Sequence, residues 1–447
     1  MKTWLGRLMW GCVAGLIAAP VHAQQNSPAS QPASVQNRRL TDSINDDLPR
    51  WIRLSGEYRV RVEGVSGAGF RSNISDGYLL NRVRINAGFS PLRWLRVQLQ
   101  AQDAQALWRG PKPDGPPHED TFDLRQAFLE FGASETNRFS LRLGRQELAF
   151  GEQRLVGHLG WTNTARSFDG VRATYRRPNL RLDVFASSVV NPKDGEFNKR
   201  IDGNNFHGVY ATLSGLVPRA SVEPYVFWRE AGSTPSEAGV PGKLDFATYG
   251  FRWAGKLPAR FDYGVEIAGQ TGSLGSDDVR AWAGHWLVGY SFDTTAAPRV
   301  IAEYNYASGD ADPADGRRGA FDQLYPTGHD KYGLADQVGW RNIHAVRAGV
   351  ELKPAEKLTV VGAYHSWWLA DVHDGLYNAG SGLIARVADG SAGRHVGHEA
   401  DIQAVYAVTG EIQLSGGYAR IFPGAFLRNA TPGETHQFSY VMINYLF

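Results

Sequence analysis

The chain has 447 residues, a formal net charge of +2, 12% aromatic residues, 51 glycines and one cysteine. The near-neutral charge provides no global basic field, so nothing favours nucleic acid as a partner. Cys12 lies in the first apolar run, so the chain beyond it can form neither a disulfide nor a thiolate metal site. The length would allow two or three soluble domains, or a single very large closed sheet that includes the whole chain.

The N-terminus has the pattern of an export signal. Lys2 and Arg7 precede an apolar run over residues 8–18, and a small residue follows at Ala23. This order predicts a secretory signal peptide over residues 1–23. The apolar run is too short for a transmembrane helix, which needs roughly 20 residues. Residues 24–50 are polar without periodicity, and we expect a flexible periplasmic lead-in there.

From Trp51 onward, apolar and polar residues alternate with period two. In WIRLSGEYRVRVEG, residues 51–64, Tyr58 and Val60 face one way while Arg59 and Arg61 face the other. We count about eighteen such segments, which is ordinary for an outer-membrane barrel of this length. Residues 51–447 are therefore predicted to form an all-β, 18-stranded antiparallel transmembrane β-barrel. The strand centres are predicted at residues 57, 84, 98, 127, 142, 172, 184, 210, 226, 250, 264, 286, 303, 347, 362, 403, 416 and 442.

The connections between segments alternate in length. Those after even-numbered segments are tight, such as SPLR at Ser90 and TG at Thr409, and those after odd-numbered segments are long and polar. Strict alternation predicts a periplasmic rim of turns and an extracellular rim of loops, with both termini periplasmic. The ending HQFSYVMINYLF resembles the signal read by the barrel assembly machinery, which we expect as a partner together with outer-membrane lipids.

The polar face is expected to line the lumen, because the apolar face must meet lipid. Arginines dominate its early strands, and carboxylates such as Glu223, Glu266 and Glu303 dominate the later ones. Clustered arginines at a narrow point would select anions; alternatively, these charges pair with one another and hold the barrel shape. The candidate pore-lining arginines are Arg59, Arg61, Arg82, Arg84, Arg125, Arg142, Arg172, Arg252 and Arg347.

Residues 142–176, RLGRQELAFGEQRLVGHLGWTNTARSFDGVRATYR, resemble the alginate export family of outer-membrane proteins. The matching motifs are GRQEL at 144–148, RLVG at 154–157, Trp161, and RSFDGVR at 166–172. The resemblance implies an 18-stranded barrel that passes an anionic exopolysaccharide outward by passive diffusion through an arginine-rich constriction. It further implies that Arg145, Arg166, Asp169 and Arg172 are lumen or rim residues of that constriction.

The chain also departs from the family. The resemblance implies an inward-folded extracellular loop, for which QALWRGPKPDGPPHEDT, residues 105–121, is the candidate, and an inward-folded periplasmic turn. That turn is present only as TG at Thr409. A porin for small anionic solutes is therefore the alternative function, and periplasmic export components are a further candidate partner.

Other chemistry has weak support in the sequence. His365 and Ser366 are adjacent, so they point to opposite faces of a strand and cannot act as a serine–histidine pair. GDADPADG at 309–316 resembles a calcium loop only loosely. RHVGHEAD at 394–401 could hold a metal, but the simpler interpretation is a solvent-exposed rim of the barrel. We therefore expect no enzymatic activity, metal or cofactor. A structural or adhesion barrel with a closed lumen is a third class of function for this chain.

Overall fold

The computed structural model describes residues 39–108, 115–133, 137–236 and 239–447. The predicted signal peptide lies outside these ranges. Eighteen strands form one closed antiparallel barrel. The strands are β1 Ile52–Ser66, β2 Ser75–Leu92, β3 Leu95–Leu107, β4 Asp120–Phe131, β5 Phe139–Gln146, β6 Phe168–Arg177, β7 Leu180–Asn191, β8 Lys199–Ser214, β9 Ala220–Pro235, β10 Pro241–Lys256, β11 Phe261–Leu274, β12 Asp277–Ser291, β13 Arg299–Ala307, β14 Ile343–Ala355, β15 Leu358–Leu369, β16 His395–Ala407, β17 Ile412–Pro423 and β18 His436–Leu446.

The period-two pattern locates these strands well. Each of the eighteen predicted centres falls inside the corresponding strand, and the barrel prediction is confirmed. Apolar residues on one face are exposed at the outer surface, for example Tyr58, Val62 and Ile85. Exposed aromatic rings gather near the periplasmic strand ends, as expected for an interfacial girdle: Trp51, Trp94, Phe131, Phe139 and Trp253.

The barrel closes where β1 pairs with β18. The register places Tyr58 opposite Tyr445, and Gly56 exchanges two backbone hydrogen bonds with the terminal Phe447. A short helix, α1 Leu40–Asp47, precedes β1. Its Asn45 side-chain amide donates to the backbone C=O of Leu54 and accepts from the backbone N–H of the same residue. In the described part of the expected lead-in, residues 39–50, two hydrogen bonds thus connect the chain to β1.

Nine connections at the extracellular end are named L1 to L9 in chain order. They are L1 67–74, L2 108–119, L3 147–167, L4 192–198, L5 236–240, L6 275–276, L7 308–342, L8 370–394 and L9 424–435. The predicted strict alternation of length is wrong at L5 and L6, because the flanking strands continue beyond the membrane and leave short hairpin turns. The turn at 408–411 is short, as its sequence predicts.

Short elements occur within the loops and turns. Arg317–Arg318 in L7 pairs in parallel with β12, Leu376–Tyr377 and Leu383–Ala385 form a small hairpin in L8, and a helix, α2 Ala425–Ala430, lies in L9. Single 3-10 turns occur at Ala68–Phe70 and Pro258–Arg260. None of the helices in the described part of the chain is long and apolar enough to cross a membrane.

The main apolar core lies inside the barrel, where L3, L7 and L8 fold into the lumen. Phe150 of L3 stacks on Phe185, Tyr210 and Phe227, with ring centroids 5.5, 4.7 and 5.9 Å apart. On this wall, aromatic side chains therefore stand at lumenal positions beside the polar residues expected there. Aromatic residues occupy its lumenal positions because the loop packed over them excludes water.

Candidate functional site

L3 crosses the lumen and reaches the arginines of the first two strands with its backbone carbonyls. Arg59 donates to Gly160 O at 2.9 Å and to Thr162 O at 3.0 Å. Arg82 donates to the same two oxygens at 3.2 and 3.1 Å. Both arginines are almost fully buried. Neutral carbonyl dipoles thus occupy donors of both guanidinium groups, and a carbonyl does not cancel their charge.

Trp161 lies at the inner tip of L3. Its carbonyl accepts a 2.7 Å hydrogen bond from Arg61, whose guanidinium also lies 3.8 Å from the centroid of its indole ring. The other stacking partner is His329 of L7, at 3.6 Å with an interplanar angle of 4°. Trp161 therefore joins the arginine wall to L7, and Arg61 forms in addition a 2.6 Å ion pair with Glu63.

The charged side chains of L3 attach it to the opposite wall. Glu152 accepts from Arg252 at 2.9 Å, and Arg154 donates to Glu303 at 2.9 Å. Glu303 is 1% exposed and also meets Arg347 at 3.3 Å. The predicted pore arginines Arg252 and Arg347 thus lie in ion pairs that hold L3 in place.

Arg125 anchors the start of L3. It forms an ion pair with Glu147, the first residue of the loop. Burial alone would raise the pKa of the Glu147 carboxyl, but the charge and hydrogen bond of Arg125 outweigh burial and lower this pKa to about 2. Glu147 is therefore ionised at any physiological pH.

A cavity of about 160 Å³ lies beside the tip of L3. Its walls include Arg59, Arg82 and Arg84 on β1 and β2, and Gln413 and Asn444 near the periplasmic ends of β17 and β18. Carboxylates at the cavity come from Glu57 and Asp330.

The charges around this cavity do not balance. Three guanidinium groups face two carboxylates. Glu57 pairs with Arg82 and lies 3.8 Å from Arg84, whereas Arg59 makes no ion pair with any residue in the described ranges. The cavity therefore holds excess positive charge beside a buried arginine.

Arg166 ties the end of L3 to L7. Its Nη1 donates to Gly157 O at 3.2 Å and to Pro326 O at 3.0 Å, and its guanidinium lies 5.5 Å from the ring centroid of Tyr325. Burial lowers the pKa of this arginine to about 10. Arg166 is a link between the two inserted loops and not a residue of the cavity wall.

Arg145 and Asp169 meet at the extracellular rim. The guanidinium of Arg145 makes two hydrogen bonds to the Asp169 carboxylate, at 2.8 and 3.0 Å, and one to Asn198 O in L4 at 2.8 Å. Asp169 shares the outward face of β6 with Val171, whereas Phe168 on the other face is buried in the lumen. The pair joins β5, β6 and L4 and is not part of the cavity lining.

Arg142 and Arg172 lie on the lumenal face nearer the periplasmic rim. Arg142 pairs with Glu130 at 3.1 Å and Arg172 with Asp183 at 2.8 Å. The twelve predicted residues thus separate into groups: the arginine wall with L3, the opposing ion pairs, the rim pair, and this lower group.

Several residues that contact L3 or the charged lumenal side chains were not singled out from the sequence. They include Glu152 and Arg154, which brace L3, and Tyr210 and Tyr225, which donate to Glu223 and Glu266. Aromatic residues at polar-face positions of the strand pattern were the available signal for the tyrosines. One partner of Glu152 is Arg154 in the same loop, at 3.4 Å, but nothing local identifies Arg252, because it lies on the distant strand β10.

Residues 109–114 of the expected plug loop lie outside the described ranges. In its described part, the backbone oxygens of Pro117 and His118 accept hydrogen bonds from Asn163 of L3. The metal candidates make other contacts. In the acidic loop, Asp310 accepts the backbone N–H groups of Asp312 and Gly319. His398 stacks outside on Tyr364, whereas Glu399 is buried and accepts from the backbone of L7. Within the described ranges, no three such side chains are arranged to hold a metal ion.

A family model described as alginate export matches residues 50–441. The chain belongs to the alginate export family. The match spans the whole barrel and includes L3 with its motifs. For this family member, it supports an outer-membrane location and a channel function. Comparison with curated proteins finds no match.

Solved structures with the same fold come from Pseudomonas aeruginosa. OccD3 (OpdP) aligns with a TM-score of 0.60 at 12% identity, covering 89% of this family member and 91% of OccD3. OpdO aligns at 0.58 and 14% identity, covering 90% and 99% of the two chains. The outer membrane protein OpdK aligns at 0.59 and 10% identity, covering 88% and 98%. At these identities, the likeness concerns the fold alone.

Proposed function

We propose that this channel passes an acidic exopolysaccharide outward by passive diffusion, with lumenal arginines contacting the carboxylates of the polymer. The observation that carries the proposal is Arg59, a buried guanidinium beside the cavity that forms no ion pair in the described ranges. Arginine in a pore selects anions, and charge-assisted hydrogen bonds to carboxylate are the physical reason. Membership of the alginate export family supports the class of substrate.

Passage also requires that the arginines release the polymer. Contacts between L3 and these arginines would favour that release. The carbonyls of Gly160 and Thr162 already occupy donors of Arg59 and Arg82. A passing carboxylate therefore competes with these carbonyls and with Glu57 for the guanidinium groups. Conduction needs binding that is strong enough for entry and weak enough for exit.

The geometry of the periplasmic end supports entry of the polymer from the periplasm. The turn between β16 and β17 covers only residues 408–411 and is too short to fold into the lumen. Gln413 and Asn444 line the cavity close to that end. A polymer arriving from the periplasm would meet the cavity before L3.

We also propose transport without catalysis. His365 faces the lumen and its Nε2 lies 3.2 Å from Asp401, whereas Ser366 lies on the other face of β15. The arrangement supports a structural contact between the imidazole and the carboxylate, and Ser366 is not placed as a nucleophile for the histidine.

The substrate class is tested by current blockade in planar bilayers. We expect a short oligomer of uronic acid to block single-channel current, and a neutral oligosaccharide of equal length to leave it unchanged. Raising the salt concentration should weaken the blockade, because screening reduces charge attraction. Permeation of small organic acids without blockade by the acidic oligomer would support the small-anion porin and contradict polysaccharide passage.

A further inference from the structure

A second cavity lies on the lumenal wall, apart from the constriction. It has a volume of about 60 Å³ and is formed by β4, β5, β6 and β7. Four arginines surround it, Arg142, Arg172, Arg176 and Arg181, beside Glu130. We name it the lower arginine pocket. None of these residues lines the larger cavity, and Arg172 lies 5.5 Å from the ring centroid of Phe150 in L3.

The strand register brings these arginines together in pairs. Arg142 lies directly opposite Arg172, and Arg176 directly opposite Arg181. Like charges at directly opposed positions destabilise a sheet. Two such pairs on neighbouring strands therefore concentrate positive charge that the fold alone does not require.

The nearby carboxylates do not neutralise this charge. Asp183 is 2% exposed, and its oxygens accept from Arg172, Thr174 and Arg181 at 2.8, 2.6 and 2.7 Å. Glu130 pairs with Arg142. Arg176 instead donates to the hydroxyl of Ser140 at 2.9 Å and makes no ion pair within the described part of the chain. Four guanidinium groups thus face two carboxylates whose contacts are already made.

The position of the pocket follows from the hairpin between β6 and β7. Arg176 and Arg181 are each one residue inside the strand ends, Arg177 and Leu180, which flank the periplasmic turn. The pocket therefore opens close to the periplasmic rim. A molecule entering from the periplasm reaches it without passing L3.

We propose that the lower arginine pocket binds one carboxylate of an acidic sugar chain at the periplasmic entrance. This inference rests on the proposed function and adds a separate capture site to it. A cavity needs roughly 10–15 Å³ to hold one water molecule, so the cavity of about 60 Å³ accommodates a group of carboxylate size. Arg176 and Arg181 supply donors in the planar geometry that carboxylates prefer.

The test compares full-length variants in detergent, with a trimer of uronic acid as the probe. We expect R176Q/R181Q to weaken the calorimetric Kd by roughly tenfold or more, since charge-assisted hydrogen bonds are lost. The matched control is R177Q, because Arg177 lies at the same depth but its side chain contacts Tyr175 on the other face. The control should bind as the wild type does.

A second variant changes affinity in the opposite direction. E130Q removes a competing carboxylate and should tighten trimer binding by several-fold, which keeps the proposal testable if the double variant does not fold. Wild-type affinity in both R176Q/R181Q and E130Q, or no binding by the wild type, would overturn the pocket assignment. Failure of polysaccharide passage would be separate, since it would appear as absent current blockade in the wild-type channel.

Discussion

Arg154 holds L3 against the far wall through buried ion pairs. Its guanidinium lies between Glu303 at 2.9 Å and Glu152 at 3.4 Å, and all but 3% of its side chain is buried. Removing one partner of a buried ion pair leaves an unpaired charge and costs roughly 3–5 kcal/mol. We expect R154Q to lower the free energy of unfolding by about that amount, measured by urea titration of the folded barrel.

The matched control is an exposed pair on the same barrel. Arg280 and Asp278 lie 3.2 Å apart with both side chains 65% exposed. Exposed pairs contribute about 0–1 kcal/mol, so R280Q should unfold nearly as the wild type does. Equal stability of R154Q and R280Q would show that Arg154 does not brace L3.

The alternation of residues predicts the direction of an arginine but not its partner. Arg59 and Arg82 lie on the polar faces of β1 and β2, and both donate to carbonyls of L3. Arg59, for example, donates to the backbone carbonyls of Gly160 and Thr162, which lie about a hundred residues further along the chain. Any sequence can supply a carbonyl, so no residue type could have indicated these contacts.

Among the structural elements, L3 should be held less firmly in the lumen at acid pH. The pKa of Glu147 is lowered to about 2 from its usual 4.5. A carboxyl with a lowered pKa stabilises the docked loop fully above pH 4.5, and this stabilisation is lost as the pH falls towards 2. We expect hydrogen-exchange protection of L3 amides, corrected for intrinsic rates, to decrease over that interval.

The control for this prediction is E147Q. The amide cannot ionise, so L3 should be less protected at pH 6 and its protection should change less between pH 4.5 and pH 2. An identical acid response in the wild type and in E147Q would contradict the assignment of Glu147 as an anchor.

Elements differ in how far their sequence determines them. The strands follow from local alternation, since lipid on one side and lumen on the other impose period two. L3 and L7 are polar and aperiodic, and their path into the lumen depends on distant pairs such as Trp161 with His329. L5 and L6 are shorter than expected because turn signals alone do not reveal where a strand leaves the membrane.

At the scale of the whole molecule, L3 joins two walls of opposite charge. Its carbonyls meet Arg59 and Arg82, whereas Arg154 reaches Glu303 on the far wall. The uneven charge distribution of the sequence thus corresponds to a real asymmetry of the lumen. Many of these charges are held in ion pairs, and the excess that could act on a solute is concentrated at the cavity and in the lower arginine pocket.

The most direct test of an anion-selecting lumen is the reversal potential of the wild-type channel across a potassium chloride gradient. We expect the sign that corresponds to chloride preference, because excess guanidinium charge borders the cavity. R59Q/R82Q should shift the potential towards cation preference, whereas R280Q should leave it unchanged. A cation preference in the wild type that R59Q/R82Q does not alter would contradict the arginine filter.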